Sequence, residues 1–349
     1  WRPPRSTQGV SSAESDVYKR QIMKKLIVLS SSIIIFLIII YFGLSLYITD
    51  LAYDAKRNFP EENPSDYSLI YEDVSFKSYN KDEIELKGWW IPYGNNEKGE
   101  AIIWIHGLDA ERSGGEGKLE MMKEINEMGY SLLTFDLRGH GESGTAPLGL
   151  GVREKEDIYG AMKFLNDEKN ISKVGLWGIS YGAVVAIDAG INEPDLGPDI
   201  VGIMADTPYF SVLELLTKEV SDRTPIPKFI AELLKFGIIQ SGKMLHGMDI
   251  NDVPESMANN DKINFPILIT SCKTDERVPE SHPSRVYSFS KESSEYYIFD
   301  ECEDHGEAYE TNKSKYMTLF KEYFSSSCLL YTSDAADDTP CVDLGGRRI

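Results

Sequence analysis

A serine framed by two glycines stands directly after a short apolar run. Residues 178–182 read Gly-Ile-Ser-Tyr-Gly, follow Trp177, and precede a helix-like stretch at 183–189. This strand–turn–helix context is what a nucleophilic serine in a G-x-S-x-G motif requires, because the tight turn leaves no room for a Cβ beside the serine. Ser180 is therefore predicted to be a nucleophile, and a glycine-rich turn with an idle serine is the alternative.

One of the five histidines occupies the position expected of a general base. A serine hydroxyl is a poor nucleophile until a base takes its proton. His305 lies just past the predicted last strand, 296–299, and is the best candidate. His106 and His140 lie in other recognisable loops, where a structural role is predicted because the nucleophile and base are complete without them.

Three carboxylates are candidates for the acid that orients the base. Asp275 follows the apolar run 266–270, between the serine and the histidine along the chain, which is the order that accompanies this serine motif. Asp206, after the run ending at Met204, is an alternative that chain order does not exclude. Glu276 is a weaker candidate, and Asp275 is the predicted acid.

The elements that must position these residues alternate between strand-like and helix-like segments. Short apolar runs, typical of buried parallel strands, occur at 101–105, 131–135, 174–177, 200–204 and 266–270. Two earlier runs, 74–79 and 84–90, alternate with period two, as half-exposed edge strands do. Helical stretches such as 118–128 and 154–167 predict a parallel sheet covered on both faces. Ligands bind such sheets beyond the carboxyl ends of the strands, where the candidate residues lie.

Residues 71 to about 324 resemble the α/β-hydrolase superfamily, on these motifs and on Ile-His-Gly-Leu at 105–108 and Phe-Asp-Leu-Arg-Gly-His-Gly-Glu-Ser at 135–143. The chain is similar to small bacterial hydrolases described as esterases or prolyl-oligopeptidase-like proteins, often with an N-terminal membrane segment. The resemblance implies an α/β-hydrolase fold with a mostly parallel eight-stranded sheet. It also implies an oxyanion hole formed by the backbone N–H groups of Leu108 and Tyr181.

Both ends of the chain are predicted to be foreign to the protein. Residues 16–21 and 328–333 can be encoded by DNA strings that are reverse complements over nearly their whole length. The string resembles a transposon-end adapter used for sequencing libraries. Residues 1–22 and 328–349 are therefore interpreted as translated adapter, with natural disordered tails as the alternative. The natural start is then Met23, and the natural C-terminus is expected to be missing.

An apolar run near the N-terminus is predicted to be a transmembrane signal-anchor. Residues 26–49 carry no charge, and about 20 apolar residues cross a bilayer as a helix. A cleaved signal peptide would have a shorter apolar region and a small-residue cleavage site. Lys24 and Lys25 favour a single-pass protein of the cell membrane with its catalytic domain outside the cytoplasm, although Lys56 and Arg57 weaken that orientation.

The predicted domain organisation is a signal-anchor at 23–49, a polar linker at 50–70 and one hydrolase domain at 71–327. A long insert with helix-like stretches at 212–220 and 229–236 is expected to form a short helical cap over the site. Its leucines and aromatics indicate an apolar acyl or aromatic-ester pocket, although plain packing of the cap explains them equally well.

Charge and composition narrow the possible functions. The net charge of −20 argues against nucleic acid as a partner, because phosphate binding needs a basic surface. No cofactor or metal is predicted, since the sequence lacks Cys/His ligand spacing and a G-x-G-x-x-G after a strand. The predicted reaction is two-step hydrolysis of a carboxylic ester in a small molecule. A peptidase or aminopeptidase acting on short peptides with the same triad, and a non-catalytic surface binding protein, are the alternatives.

Two cysteines lie near the predicted acid and base. Cys272 precedes Asp275 by three residues, and Cys302 precedes His305 by three. A disulfide is a hypothesis that suits an exported domain. Two buried free thiols are favoured instead, because free cysteines are commonly buried. A Cα separation beyond about 7 Å would exclude the bridge.

Overall fold

The computed structural model describes residues 12–326, with gaps at 80, 95–98, 116, 192, 193, 195, 251–265, 292, 301 and 303. The strands are β1 Glu72–Lys77, β2 Glu85–Ile91, β3 Glu100–Ile105, β4 Ser131–Phe135, β5 Lys173–Ile179, β6 Asp199–Asp206, β7 Ile267–Cys272 and β8 Glu295–Phe299. The helices are α1 Ser12–Ala52, α2 Lys118–Glu127, α3 Lys155–Lys169, α4 Tyr181–Ile191, α5 Val212–Arg223, α6 Lys228–His246, α7 Ser281–Phe289, α8 Ala308–Thr311 and α9 Lys313–Ser326, with a 3₁₀ turn at Pro64–Tyr67.

The strands form one sheet in the order β1-β2-β4-β3-β5-β6-β7-β8. Strand β2 is antiparallel to both neighbours, and the pairs from β4 to β8 are parallel. The mostly parallel eight-stranded sheet of the α/β-hydrolase fold, predicted from the sequence, is confirmed. Because the parallel strands share a direction, the loops after β3, β5, β7 and β8 meet at one edge of the sheet.

Two hydrophobic cores cover the two faces of the sheet. In the central strand β5, Leu176 packs with α3 and α4, whereas its neighbour Trp177 packs with α2 and α9. Both side chains are fully buried because alternate positions of a strand point to opposite faces. This burial on both faces explains why the inner strands are continuously apolar in sequence.

Strand β2 differs from its prediction as an edge strand. The sheet edge is β1, and β2 lies between β1 and β4 with most of its residues buried. Trp89 joins the core beside α2, and Trp90 joins the core on the opposite face. The alternating pattern comes from the start of the strand, where Glu85 and Lys87 reach solvent while Leu86 is buried, and from Gly88 onward both faces are buried.

Helices α5 and α6 form the predicted cap, and α1 packs beside it. Helix α1 is long and apolar enough to cross a bilayer, with a mean hydropathy of 2.7 over its most apolar 18-residue window. Its C-terminal part is buried at Ile48, against Leu234 and Ile238 of α6. Residues 12–22 continue this helix, and 328–349 lie outside the described residues, so the prediction of adapter-derived ends stays a prediction.

The segment between α1 and β1 is attached to the domain by hydrogen bonds. Arg57 donates from Nη1 to the carbonyl oxygens of Gly141 and Ser143, both at 2.8 Å. Asn58 Nδ2 donates to the carbonyl oxygen of Asp109 at 2.7 Å. The predicted linker therefore follows the surface of the domain close to the loops at the carboxyl end of the sheet.

Candidate active site

Ser180 occupies a sharp turn between β5 and α4. Its φ is 55°, in the left-handed region that side chains other than glycine rarely adopt. A Cβ on Gly178 would lie 2.2 Å from the carbonyl oxygen of Gly182, and a Cβ on Gly182 would lie 2.2 Å from that of Ile105. Both glycines are thus required by close backbone contacts, and the turn raises Ser180 above the sheet, as predicted.

Ser180, His305 and Asp275 form a continuous chain of hydrogen bonds. His305 Nε2 is 2.7 Å from Ser180 Oγ, and His305 Nδ1 is 2.6 Å from Asp275 Oδ2. The other carboxylate oxygen, Oδ1, accepts the backbone N–H groups of Arg277 at 2.9 Å and Val278 at 2.8 Å. With its carboxylate held at both oxygens, Asp275 fixes a histidine tautomer whose Nε2 can accept the serine proton.

The alternative acids are not placed on the histidine. Asp206 is buried below the turn, where its carboxylate accepts hydrogen bonds from Tyr316 and Thr207, both at 3.1 Å. Burial raises the pKa of this carboxyl above its usual range. Its backbone oxygen accepts the N–H of Ser180 at 2.7 Å, which supports the turn, while Glu276 is exposed to solvent.

The residues predicted to form the oxyanion hole lie next to the turn of Ser180. A Cβ built on Gly107 would lie 3.9 Å from the Cβ of Ser180, so the loop that carries Leu108 runs beside the nucleophile. Tyr181 is the first residue of α4, and its amide belongs to a helix N-terminus, which carries partial positive charge. That the two amides donate to an oxyanion at Ser180 stays a prediction.

His106 and His140 hold the loops around the site. His106 Nε2 accepts the N–H of Leu137 at 2.9 Å, and Nδ1 donates to the carbonyl of Gly107 at 2.7 Å. His140 Nδ1 donates to the carbonyl of Arg138 at 3.0 Å. Burial lowers the pKa of each ring to about 4, so both are neutral near pH 7, in agreement with the structural role expected of them.

Two cavities of different character meet at Ser180, Leu108 and Arg277. One is apolar and extends beneath the cap to the end of α1; its lining includes Ala52, Tyr53, Leu148, Leu150, Tyr209, Val212, Leu215, Leu216, Val220, Ile250 and Val278. The other is an open cleft of mixed polarity beside the histidine; its lining includes Trp104, Ile179 and Tyr309 and the charged or polar residues Lys118, Glu120, His305, Glu307, Glu310 and Lys313. The serine therefore lies between an apolar compartment and a more polar one.

Sequence reasoning missed two ionic contacts that position the site. Arg277, two residues after the acid, binds Glu219 of the cap helix α5, with 3.0 Å between Nε and Oε1. Lys118 Nζ donates to the carbonyl of Gly306 at 3.1 Å and to Glu310, behind the histidine. These contacts join residues that are far apart in the chain, and no local sequence motif predicts them.

The cysteines are paired, contrary to the favoured expectation of free thiols. Cys272 and Cys302 form a disulfide with a Cα separation of 5.8 Å, which is within the range that permits a bridge. Adjacent parallel strands β7 and β8 bring the two loops together. Thr274 Oγ1 adds a second link by donating to the carbonyl of Cys302 at 2.8 Å. The acid and base loops are therefore fastened to each other.

Comparison with protein families and curated proteins gives consistent matches. Residues 96–238 match the family model Hydrolase_4, described as serine aminopeptidase, S33. The uncharacterized protein YqkD of Bacillus subtilis is 27% identical over 72% of this chain and 82% of its own length. The lysophosphatidylserine lipase ABHD12 of Danio rerio is 23% identical over 58% of this chain. The chain spans 50% of that lipase.

Solved structures share the fold at low sequence identity. The esterase Pf2001 of Pyrococcus furiosus superposes with a TM-score of 0.62 and 21% identity, over 78% of this chain and 97% of the esterase. The acylaminoacyl peptidase of Pyrococcus horikoshii superposes with a TM-score of 0.51 and 22% identity, over 74% of this chain and 42% of the peptidase. The same fold thus carries both an esterase and a peptidase among these neighbours.

Proposed function

Since this chain belongs to the α/β-hydrolase superfamily, we propose that it is a serine hydrolase that cleaves carboxylic esters through an acyl-enzyme. The observation that carries the proposal is the unbroken chain from Ser180 Oγ to His305 at 2.7 Å and on to Asp275 at 2.6 Å. Ser180 follows β5, Asp275 follows β7 and His305 follows β8. Because these strands belong to one rigid sheet, the distances between the three side chains are held constant.

The geometry supports a two-step reaction. Ser180 Oγ attacks the ester carbonyl while His305 Nε2 takes its proton, and the negative oxygen faces the amides of Leu108 and Tyr181. His305 then gives the proton to the departing alcohol, which leaves an acyl group on the serine. A water molecule, deprotonated by His305, attacks that acyl group, and the proton returns to Ser180 as the acid departs.

The two cavities favour an ester with a hydrocarbon acyl chain. The apolar cavity suits an acyl chain, and the more polar cleft suits an alcohol leaving group. The lysophosphatidylserine lipase among the relatives acts, by its name, on a lipid, which agrees with this assignment.

The aminopeptidase alternative requires a group that binds a free α-ammonium. Three of the carboxylates that line the cavities already pair with cations: Glu310 with Lys118 at 2.5 Å, Glu120 with Lys313 at 2.5 Å, and Glu219 with Arg277. A peptide substrate that bound one of these three carboxylates would have to break its pair, whereas an ester with an uncharged acyl chain would not. Glu307, which accepts the N–H of Asp304 at 2.9 Å, is the cleft carboxylate that an α-ammonium could reach without breaking such a pair.

Two measurements test the proposal. A fluorophosphonate probe should label the intact protein and should not label Ser180→Ala; absence of labelling in the wild type would favour a non-catalytic binding protein. A panel of p-nitrophenyl esters should be turned over, with chains of eight or more carbons preferred over acetate. Activity on aminoacyl-anilides alone would replace the esterase by an aminopeptidase.

We also propose that α1 anchors the protein in the cell membrane with the catalytic domain outside the cytoplasm. The support is the apolar run after Lys24 and Lys25, and the disulfide, which suits an oxidising compartment. The protein should stay with membranes in alkaline carbonate. An external protease should degrade the domain in intact cells, and protection from it would reverse the orientation.

A further inference from the structure

The cap helix α6 carries an apolar stripe that no other described element covers. Phe229, Leu233 and Phe236 are 71%, 70% and 63% exposed, and Met244 is 68% exposed. The spacing from Phe229 to Phe236 places these side chains on one face of the helix, opposite the face that packs on α5. A continuous exposed patch of two phenylalanines and a leucine is unusual on a surface that faces only water.

The stripe lies beside the apolar part of α1. Tyr41 Oη donates to the carbonyl of Leu233 at 3.3 Å and accepts the N–H of Gly237 at 3.1 Å. Farther along, Thr49 Oγ1 donates to the carbonyl of Ile238 at 3.3 Å. Residue numbers rise in the same direction on both helices, so α1 and α6 run parallel. The middle of α6 is thus level with Tyr41, in the C-terminal third of the apolar run, and the first turns of α6 lie beside the residues that precede Tyr41.

Close packing joins the two helices firmly. A Cβ on Gly237 would lie 2.1 Å from Ser45 Oγ, so the glycine allows the Ser45 side chain to pack against the backbone of α6. Ser45, Ile48 and Thr49 are fully buried by this contact. The position of α6 relative to the membrane is therefore fixed by the position of α1.

The length of the exposed apolar part of α1 determines how deeply α6 lies relative to the bilayer. The run from Leu26 to Gly43 is mostly exposed, and at about 1.5 Å per residue it spans about 27 Å. The hydrocarbon core of a bilayer is about 30 Å thick. The outer part of that layer must then reach at least the level of Tyr41, which lies beside Leu233 and Gly237 of α6. Tyr47, farther along α1, is exposed, as interfacial aromatic residues are.

We propose that the stripe of α6 is a lipid-binding surface, immersed in the outer interface of the same bilayer that α1 crosses. The apolar cavity is lined by Ala52 and Tyr53 at the end of α1 and by Leu216 and Val220, which pack on α6. A hydrocarbon chain can therefore pass from the bilayer to Ser180 along apolar surface. The substrate class is an ester lipid resident in the membrane; this substrate rests on the proposed function, whereas the lipid contact does not.

Crosslinking tests the lipid contact without requiring activity. The full chain is reconstituted in phosphatidylcholine vesicles that contain a phosphatidylcholine with a diazirine in its acyl chain, and labelled peptides are mapped by mass spectrometry. Label is expected in the peptide 229–235 or 236–243 of α6, in addition to α1. Ile70 is the internal control: it is 79% exposed and precedes β1, at the end of the sheet opposite the cap. Label confined to α1, with α6 labelled no more than the peptide that contains Ile70, overturns the proposal.

Kinetics test the passage of substrate. The variant F229S/L233S/F236S changes only exposed side chains, and I70S is its matched control. The triple variant is expected to hydrolyse a long-chain ester in vesicles at least tenfold more slowly, with turnover of a soluble short-chain ester unchanged. Equal rates on the vesicle ester would overturn the lipid route. If the wild type hydrolyses no ester, the proposed function fails, while the crosslinking result still decides the lipid contact.

Discussion

Arg277 binds Glu219 through two hydrogen bonds, 3.0 Å from Nε to Oε1 and 3.2 Å from Nη2 to Oε2. The contact joins the loop that carries Asp275 to the cap helix α5, so the wall of the apolar cavity and the acid of the triad are mechanically connected. The pair is partly exposed, and such pairs contribute only about 0–1 kcal/mol to stability. Its consequence is expected in substrate binding and not in folding.

Glu219→Gln is therefore expected to raise KM for a long-chain ester several-fold, with kcat and the unfolding midpoint nearly unchanged. Asp167→Asn is the matched control, because it removes the exposed pair with Lys163 on α3, outside the cap. Steady-state kinetics on both variants measure the changes in KM and kcat relative to the wild type. A fall in kcat with unchanged KM would mean that the pair positions the acid and not the cavity wall.

Asp275→Asn should lower kcat by about 10³–10⁴ with little change in KM, because the amide would hold the imidazole in the wrong tautomer. The backbone hydrogen bonds to Arg277 and Val278 can still be made by the amide oxygen, so the fold should persist. Glu276→Gln, one residue on and exposed, should leave kcat unchanged. Activity of Asp275→Asn near that of the wild type would remove Asp275 from the triad.

The convergence of Ser180, His305 and Asp275 was predictable because these residues lie next to strands, and strands can be recognised in the sequence. An apolar run before Ser180, Asp275 or His305 marks the carboxyl end of a parallel strand, where such side chains must converge. The glycines of the turn add a steric signature at Gly178 and Gly182. These signals are local and independent of the details of packing.

Contacts between distant elements were not predictable. The bond from Arg277 to Glu219 depends on how the cap folds back over the acid loop, and the packing of Gly237 on Ser45 depends on the angle between two helices. Neither contact is marked in the sequence by a periodic pattern or by a motif. The position of β2 was predicted wrongly for a related reason: the exposed Glu85 and the buried Leu86 give an alternating pattern, but that pattern does not show that β1 pairs with the outer side of the strand.

The buried rings of His106 and His140 should make stability depend on pH. Their folded-state pKa values, about 4, lie below the usual value of about 6.5 because of burial. Between these values the unfolded chain binds more protons, so stability is complete above about pH 6.5 and falls as pH decreases toward 4. The loss from each ring is on the order of a few kcal/mol.

Urea unfolding at pH 7.5, 6.0 and 5.0 measures this effect. In His140→Gln, which retains a donor and an acceptor, the decrease between pH 7.5 and 5.0 should be smaller than in the wild type. The exposed variant Glu276→Gln controls for the titration of surface carboxyls. An identical pH profile for His140→Gln and the wild type would show that the ring is already charged in the fold.

The bridge between Cys272 and Cys302 should stabilise the fold while remaining dispensable for the chemistry. It closes a loop of 30 residues, for which the chain-entropy estimate is about 3–4 kcal/mol. The double variant C272A/C302A should therefore unfold at markedly lower urea concentration. Thr274 still links the two loops through the backbone of residue 302, so most of kcat should survive at low temperature.

This measurement is made in a protein that carries Cys328→Ser and Cys341→Ser. Both of these cysteines lie outside the described part of the chain, and their thiols would otherwise contribute to the thiol titration. In that background, dithiothreitol should shift the wild-type unfolding curve toward that of C272A/C302A, and the double variant should not respond. A wild-type curve indifferent to the reductant, together with two titratable thiols in the native protein, would show that the cysteines are unpaired. It would also leave Thr274 as the side chain that holds the acid loop beside the base loop.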